Sequence, residues 1–234
     1  MKKRIWELDA LRGFCILGVI VVHFLYDISS LYDLVDLHSP LFNFIALWGG
    51  TVFLVISGIC VTLGSHPVRR GLMVFGCGLG ITAVTAGMYL LGLQGRGIII
   101  WFGVLHCLGL CMLLWPLFDR LPLWVLGLLG GSILVLGHGF VLRADHPWLV
   151  IFGFTFPGFA SGDYFPLLPN LGYFLLGGVL GKTLYRKKQT LFPKVNSQCL
   201  PIRFLSRCGK LSLPIYLIHQ PLLTGLIWLI LKFF

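Results

Sequence analysis

The chain is expected to be an all-α polytopic membrane protein, and three observations lead there. Its 234 residues are 57% hydrophobic and 11% charged, with a mean hydropathy of +0.92. A soluble domain carries a charged coat of about a quarter of its residues. A water-soluble enzyme, a disordered tail and a nucleic-acid-binding domain are therefore set aside. Second, about seven apolar stretches reach the roughly 20 residues that a bilayer core of about 30 Å demands of a helix. Third, the net charge of +10 is unevenly distributed between the two ends of those stretches, as Lys and Arg are when they collect in cytoplasmic loops.

The first stretch, 11–31, follows a basic start and could pass for a signal peptide. No small-residue cleavage site follows it, and it carries a His and an Asp, so it is expected to be the first transmembrane helix. The second runs over 41–63, before His66-Pro67, and the third over 71–93, ending in the glycines of 92–97. The fourth, 97–118, stops before the turn at 119–122, and the fifth follows over 122–142. Residues 148–160 are apolar but too short to span, and Gly153, Pro157 and Gly158 break them, as in a re-entrant or interfacial piece. The sixth stretch, 166–185, leads into a basic cytoplasmic segment at 186–210, read as a loop or surface helix. The last stretch is 211–232. The whole chain, 1–234, reads as a single transmembrane domain, and no internal repeat of the inverted-repeat transporter kind is evident.

With the N-terminus in the cytoplasm, all of the 18 Lys and Arg except Arg96, Arg143 and Lys232 fall inside, 15 against 3. Seven helices, N-terminus inside and C-terminus outside, satisfy the positive-inside rule. The 30 glycines read mostly as close helix packing. Seven cysteines, none placed on the outer side of the membrane, do not suggest a disulfide framework. Cys107 and Cys111 beside His106 lack zinc spacing in apolar surroundings and read as small buried side chains. No metal is expected.

Ionisable residues at membrane depth are costly and mark candidate sites. The first helix carries the densest set. Eleven helical steps lead from Arg12 to His23, nearly three full turns, so both point the same way. Asp27 lies one turn beyond His23. At 1.5 Å per residue His23 sits about 16 Å above the inner edge and His219 about 12 Å. His106 descends about 14 Å from the outer edge, so three helices each place a histidine near one level. A lone membrane His is often only an interhelical hydrogen-bonding group. For His106 that reading is slightly preferred, and for His219 the two are even. For His23, flanked by Arg12 and Asp27, a functional role is preferred. Asp163 reads as a helix cap or as the outer rim of a site.

A neutral His with a carboxylate nearby suits a general base acting on a hydroxyl or amine, with Asp27 expected to fix the His23 tautomer and stabilise the imidazolium that forms. An Arg at the cytoplasmic mouth suits a phosphate-bearing donor, and Arg69 and Arg70 are further donor-binding candidates. His106 or the His219-Gln220 pair could stabilise an oxyanion. The arrangement describes transmembrane acyl transfer, direct or through an acyl-histidine. It equally describes a proton-coupled transporter using the His and Asp set, while a non-catalytic scaffold would tolerate loss of His23.

The string RIWELDALRGFCILGVIVVHFLYD, with IWFGVLHCLGL (100–110), SGDYFPLLPNLGYFLLGGVLG (161–181) and LSLPIYLIHQPLL (211–223), resembles the bacterial branch of the heparan-α-glucosaminide N-acetyltransferase catalytic-domain family. The R-x10-H spacing of Arg12 and His23 is similar to that of the related acyltransferase-3 membrane enzymes, whose His is held to be catalytic. The resemblance covers essentially the whole chain. It implies His23 as base, with Arg12, Asp27, His106, Asp163 and His219 in support. It implies acetyl-CoA or another acyl-CoA as donor from the cytoplasm, and a glycan-type hydroxyl or amine acceptor on the outer side. The lysosomal enzymes of the family use a histidine in the loop after the first helix, which makes His38 the alternative to His23. The expected setting is the lipid bilayer of a bacterial inner membrane, without nucleic acid, and compatible with a homo-oligomer.

Overall fold

A computed structural model of the chain describes residues 4–32, 40–139 and 146–233. Among them are eight α-helices: α1 (Trp6–Tyr32), α2 (Pro40–Leu63), α3 (Pro67–Leu90), α4 (Val104–Phe118), α5 (Leu123–Gly139), α6 (Leu167–Leu184), α7 (Leu200–Lys210) and α8 (Ser212–Phe233). The all-helical expectation holds. Among the described residues, three segments, Trp6–Ser29, Pro67–Leu90 and Ser212–Ile230, are long and apolar enough to cross a membrane by length and composition.

Local sequence accounts for several boundaries. Glu7 and Asp9 stand in the first turn of α1, where carboxylates complement the positive end of the helix dipole. Pro67 opens α3, its missing N–H being one that the first turn leaves unused anyway. Gly92, at φ 70, supplies the left-handed residue just past the end of α3.

One expected stretch is reorganised. The one at 97–118 begins with a 3-10 turn at Arg96–Ile98 and becomes α-helical only at Val104, so α4 is about 22 Å long. The cause is tertiary. Residues 99–102 are taken up by the segment before α6, where Gly162 N–H donates to the Ile99 carbonyl and Phe165 N–H to the Phe102 carbonyl. The basic segment at 186–210 holds a helix, α7, over its last 11 residues. Residues 148–160 form a 3-10 turn at Pro147–Phe152 closed by Gly153 at φ 105.

The chain divides into two compact units, Met1–Ile56 with Lys187–Phe234, and Ser57–Arg186; α2 contributes to both. In the first, α7 lies on the first turns of α1 with backbone against backbone. A Cβ on Gly13 would collide with the Leu205 carbonyl, and one on Gly209 with the Asp9 carbonyl. Ser206 Oγ donates to the Trp6 carbonyl at 3.4 Å. Glu7 accepts hydrogen bonds from Thr190 Oγ1 and Leu191 N–H, both at 2.8 Å. α8 packs along α1 further up. In the second unit α3 pairs with α4 and α5 with α6, around a core of Cys107, Leu126, Phe174 and Leu175, all at 0% exposure.

Large apolar side chains cover the outside. Phe14 and Val21 on α1, Leu72, Met73 and Val84 on α3, and Leu222, Leu226 and Trp228 on α8 are all exposed. Apolar side chains exposed in such number on each unit suit hydrocarbon, not water.

Candidate functional site

In the first unit, His23 of α1 and His219 of α8 touch. His23 Nδ1 lies 2.6 Å from His219 Nε2, with the ring planes 12° apart. His219 is 6% exposed and His23 half-buried. The other nitrogen of His219, Nδ1, sits 2.5 Å from the Tyr216 carbonyl on the preceding turn. A carbonyl can only accept, so Nδ1 of His219 carries a proton. In the neutral ring Nε2 is then bare and must accept from its neighbour, which assigns the His23 proton to Nδ1. Both tautomers follow from this one backbone contact. His23 Nε2 is left with a free lone pair and no hydrogen bond among the described residues.

Asp27 stands one turn further along α1 and takes a different partner. Gln220 Nε2 donates to its carboxylate oxygens at 3.0 and 3.2 Å. The expectation that Asp27 fixes the His23 tautomer is replaced by the Tyr216–His219–His23 chain. The reason is that α8 offers consecutive polar residues, His219 and Gln220, which meet His23 and Asp27 as two successive rungs. Asp27 nonetheless acts electrostatically on His219, the ring next to its partner. A carboxylate accepts only, so it also fixes which way the Gln220 amide turns. Gln220 Oε1 is then buried with no donor among the described residues.

Arg12 lies on the same helix, its guanidinium over the Phe53 ring at 5.6 Å. Its Nε is buried and without an acceptor among the described residues. Phe53 lies beyond the reach of sequence spacing, whereas Gln220 is already singled out with His219 in the sequence. His38 lies outside the described residues.

His106 and Asp163 belong to the second unit, and both serve the start of α4. Gly103 N–H donates to His106 Nδ1 at 3.2 Å. Thr82 Oγ1 donates to the Ile100 carbonyl at 2.6 Å, so it accepts from His106 Nε2–H at 3.2 Å. Both ring nitrogens of His106 are thereby engaged. Asp163 Oδ2 accepts from Val104 N–H at 2.9 Å, which makes it a cap for α4; its own neighbour in sequence, Tyr164, donates to the Val150 carbonyl at 2.8 Å. Burial pushes the Tyr164 hydroxyl up to about 12. Arg69 and Arg70 occupy the first turn of α3, Arg69 exposed and Arg70 packed against Gly64. Cys107 and Cys111 are buried in α4 with their sulfurs 4.0 Å apart.

The first unit thus holds a basic nitrogen with a partner ring behind it and a cation on the same helix. Such a pair can accept a proton at His23 Nε2 and pass one from His23 Nδ1 to His219 Nε2. The family model described as heparan-alpha-glucosaminide N-acetyltransferase, catalytic, matches residues 4–221. No curated protein and no solved structure matches the chain.

Proposed function

Since the chain belongs to the heparan-alpha-glucosaminide N-acetyltransferase catalytic-domain family, whose chemistry is acetyl transfer, we propose that it is a multi-pass membrane acetyltransferase with His23 as its general base. In this reading it crosses a bacterial inner membrane seven times, N-terminus inside, and draws acetyl-CoA or another acyl-CoA from the cytoplasm. The acceptor is a hydroxyl or amine of a glycan-type molecule.

The observation that carries the reading is the 2.6 Å contact between His23 Nδ1 and His219 Nε2. As the acceptor oxygen or nitrogen attacks the thioester carbonyl, its proton goes to His23 Nε2. His23 Nδ1 hands its own proton to His219 Nε2, and the positive charge comes to rest on His219, within the field of Asp27. When the tetrahedral intermediate collapses, the C–S bond breaks and the CoA thiolate takes a proton back along the same chain. Products are the acetylated acceptor and free CoA thiol.

The test uses the full chain in nanodiscs with radiolabelled acetyl-CoA. Wild type, His23→Ala, His219→Ala and His38→Ala are compared for thioester cleavage and label transfer to added glucosamine or water. Loss in the His23 and His219 variants with His38→Ala active is the expected result. Loss in the His38 variant alone moves the base to the loop after α1. Absence of thioester cleavage in every form overturns the acetyltransferase reading.

A further inference from the structure

α7 has two faces, and its contacts with α1 use one of them. At 100° per residue Leu205, Ser206 and Gly209 share the inner side, where Gly209 rests on the Asp9 carbonyl and the Leu205 carbonyl on Gly13. On the outer side Leu200 and Phe204 stand within about 40° of each other, 71% and 55% exposed. Arg203, Arg207 and Lys210 take the adjoining arc of about 80°, and all three are exposed. Leu211 follows, 56% exposed. The outer surface is thus an apolar stripe with a cationic stripe along one edge. Residues 187–211 contain six Lys and Arg and no Asp or Glu, so nothing within the segment neutralises that edge.

Depth comes from the two helices that α7 touches. The candidate span of α8 begins at Ser212 and that of α1 at Trp6. α7 ends at Lys210, one residue short of the first, and Ser206 Oγ donates to the carbonyl of Trp6, which opens the second. α7 therefore lies where both spans leave the hydrocarbon. The loop before it is tied to the same place, since Glu7 accepts from Thr190 Oγ1 and Leu191 N–H and the Trp6 and Phe192 rings lie 6.4 Å apart. We propose that the outer face of α7 is an interfacial platform seated on an anionic phospholipid surface, with Leu200, Phe204 and Leu211 entering the acyl boundary and Arg203, Arg207 and Lys210 reaching lipid phosphates. A helix with an apolar stripe edged by cations lies in the plane of such a surface, and each cation near anionic headgroups adds to the attraction. A second copy of the chain would set two cationic edges against each other across a two-fold axis, and a nucleic acid would leave the apolar stripe in water. The inference rests on the membrane-embedded reading of the chain and is independent of acetyl transfer.

Hydrogen exchange of residues 200–211 is followed in the full chain, in nanodiscs of phosphatidylcholine with and without phosphatidylglycerol. Wild type is compared with the double variants Arg203→Gln/Arg207→Gln and Leu200→Ser/Phe204→Ser, all at exposed positions, and with Lys232→Gln, which removes a cation at the other end of α8. Phosphatidylglycerol is expected to slow wild-type exchange at 200–211, and added salt to reverse that effect. The arginine double variant should lose about tenfold or more of the slowing, at about fivefold per cation, while Lys232→Gln keeps it. The serine double variant exchanges faster in both lipids; if it does not fold, the arginine pair decides alone. Wild-type exchange that is indifferent to phosphatidylglycerol overturns the platform, as does slowing that the arginine variant retains in full. Protection that appears only when two copies share a nanodisc also overturns it and assigns the face to self-association. Each of these outcomes leaves the catalytic reading standing, because exchange reads no acetyl transfer. A chain that does not enter nanodiscs overturns the membrane reading and the platform together.

Discussion

Asp27 and Gln220 form the rung next to the His23–His219 contact, with the Gln220 amide nitrogen 3.0 and 3.2 Å from the two carboxylate oxygens. The carboxylate is thus spent on holding α8 in register with α1 and on the field at His219. Its hydrogen bonds to α8 come from Gln220. That separation of roles can be tested by substitution.

Removing the second ring should cost more than removing the carboxylate. His219→Ala leaves the His23 Nδ1–H without its acceptor, so kcat for acetyl transfer should fall by about 10²-fold or more, the scale of general acid–base catalysis. His219→Gln keeps a side-chain oxygen able to accept from His23 Nδ1 and should recover part of that loss. Asp27→Asn frees the Gln220 amide to turn over and should cost roughly tenfold in kcat, with less effect on KM for the donor. Steady-state rates with radiolabelled acetyl-CoA measure all three. An Asp27→Asn enzyme as damaged as His219→Ala would mean that the carboxylate works directly on the base.

The α1–α7 contact depends on the absence of two side chains. Gly209→Ala drives a Cβ into the Asp9 carbonyl, and backbone cannot move aside as a flexible side chain can. Overpacking of this kind costs about 1–3 kcal/mol, so a clear fall in the midpoint of thermal unfolding in detergent is expected. Gly18→Ala, on the same helix α1 with open space around it, should leave the midpoint unchanged or raise it slightly, since Ala is the better helix former. Equal midpoints for the two variants would contradict the backbone contact.

Asp163 holds Val104 N–H at the start of α4. Asp163→Ala should therefore lower stability by about 1 kcal/mol, the usual cost of a lost cap, while residual acetyl transfer per folded molecule stays near wild type. A loss of kcat on the scale of His23→Ala, with unfolding unchanged, would return Asp163 to the reacting centre.

Tyr164 should resist ionisation. Its hydroxyl is pushed up to about 12 by burial, whereas an unfolded tyrosine titrates near 10. Because the folded value is the higher, its contribution to stability is intact below about pH 10 and is lost as pH rises through about 12. Difference absorbance at 295 nm between wild type and Tyr164→Phe should show one phenol titrating late, and the variant should lose less stability across that range. A phenol ionising near pH 10 would show that Tyr164 is open to solvent.

Helix existence and membrane character were legible in the residues themselves, because apolar runs of helical length have few alternatives. The alignment of Arg12, His23 and Asp27 was legible too, since one helix fixes their angular spacing. α4 was less so: nothing in the apolar run around Gly97 signals that the segment before α6 will claim residues 99–102.

Sequence alone determined the class of the protein, its long apolar helices and the placing of ionisable groups along α1 and α8, all consequences of local periodicity and of the cost of polar groups in hydrocarbon. Only the tertiary structure decided which groups meet. His23 and His219 are 196 positions apart, and their contact depends on how α8 is rotated against α1. That packing also took Asp27 to Gln220, and within the second unit packing engaged His106 with Thr82 and Gly103. Partner choice across helices is set by how side chains and backbones fit, and one strand of sequence carries no term for it.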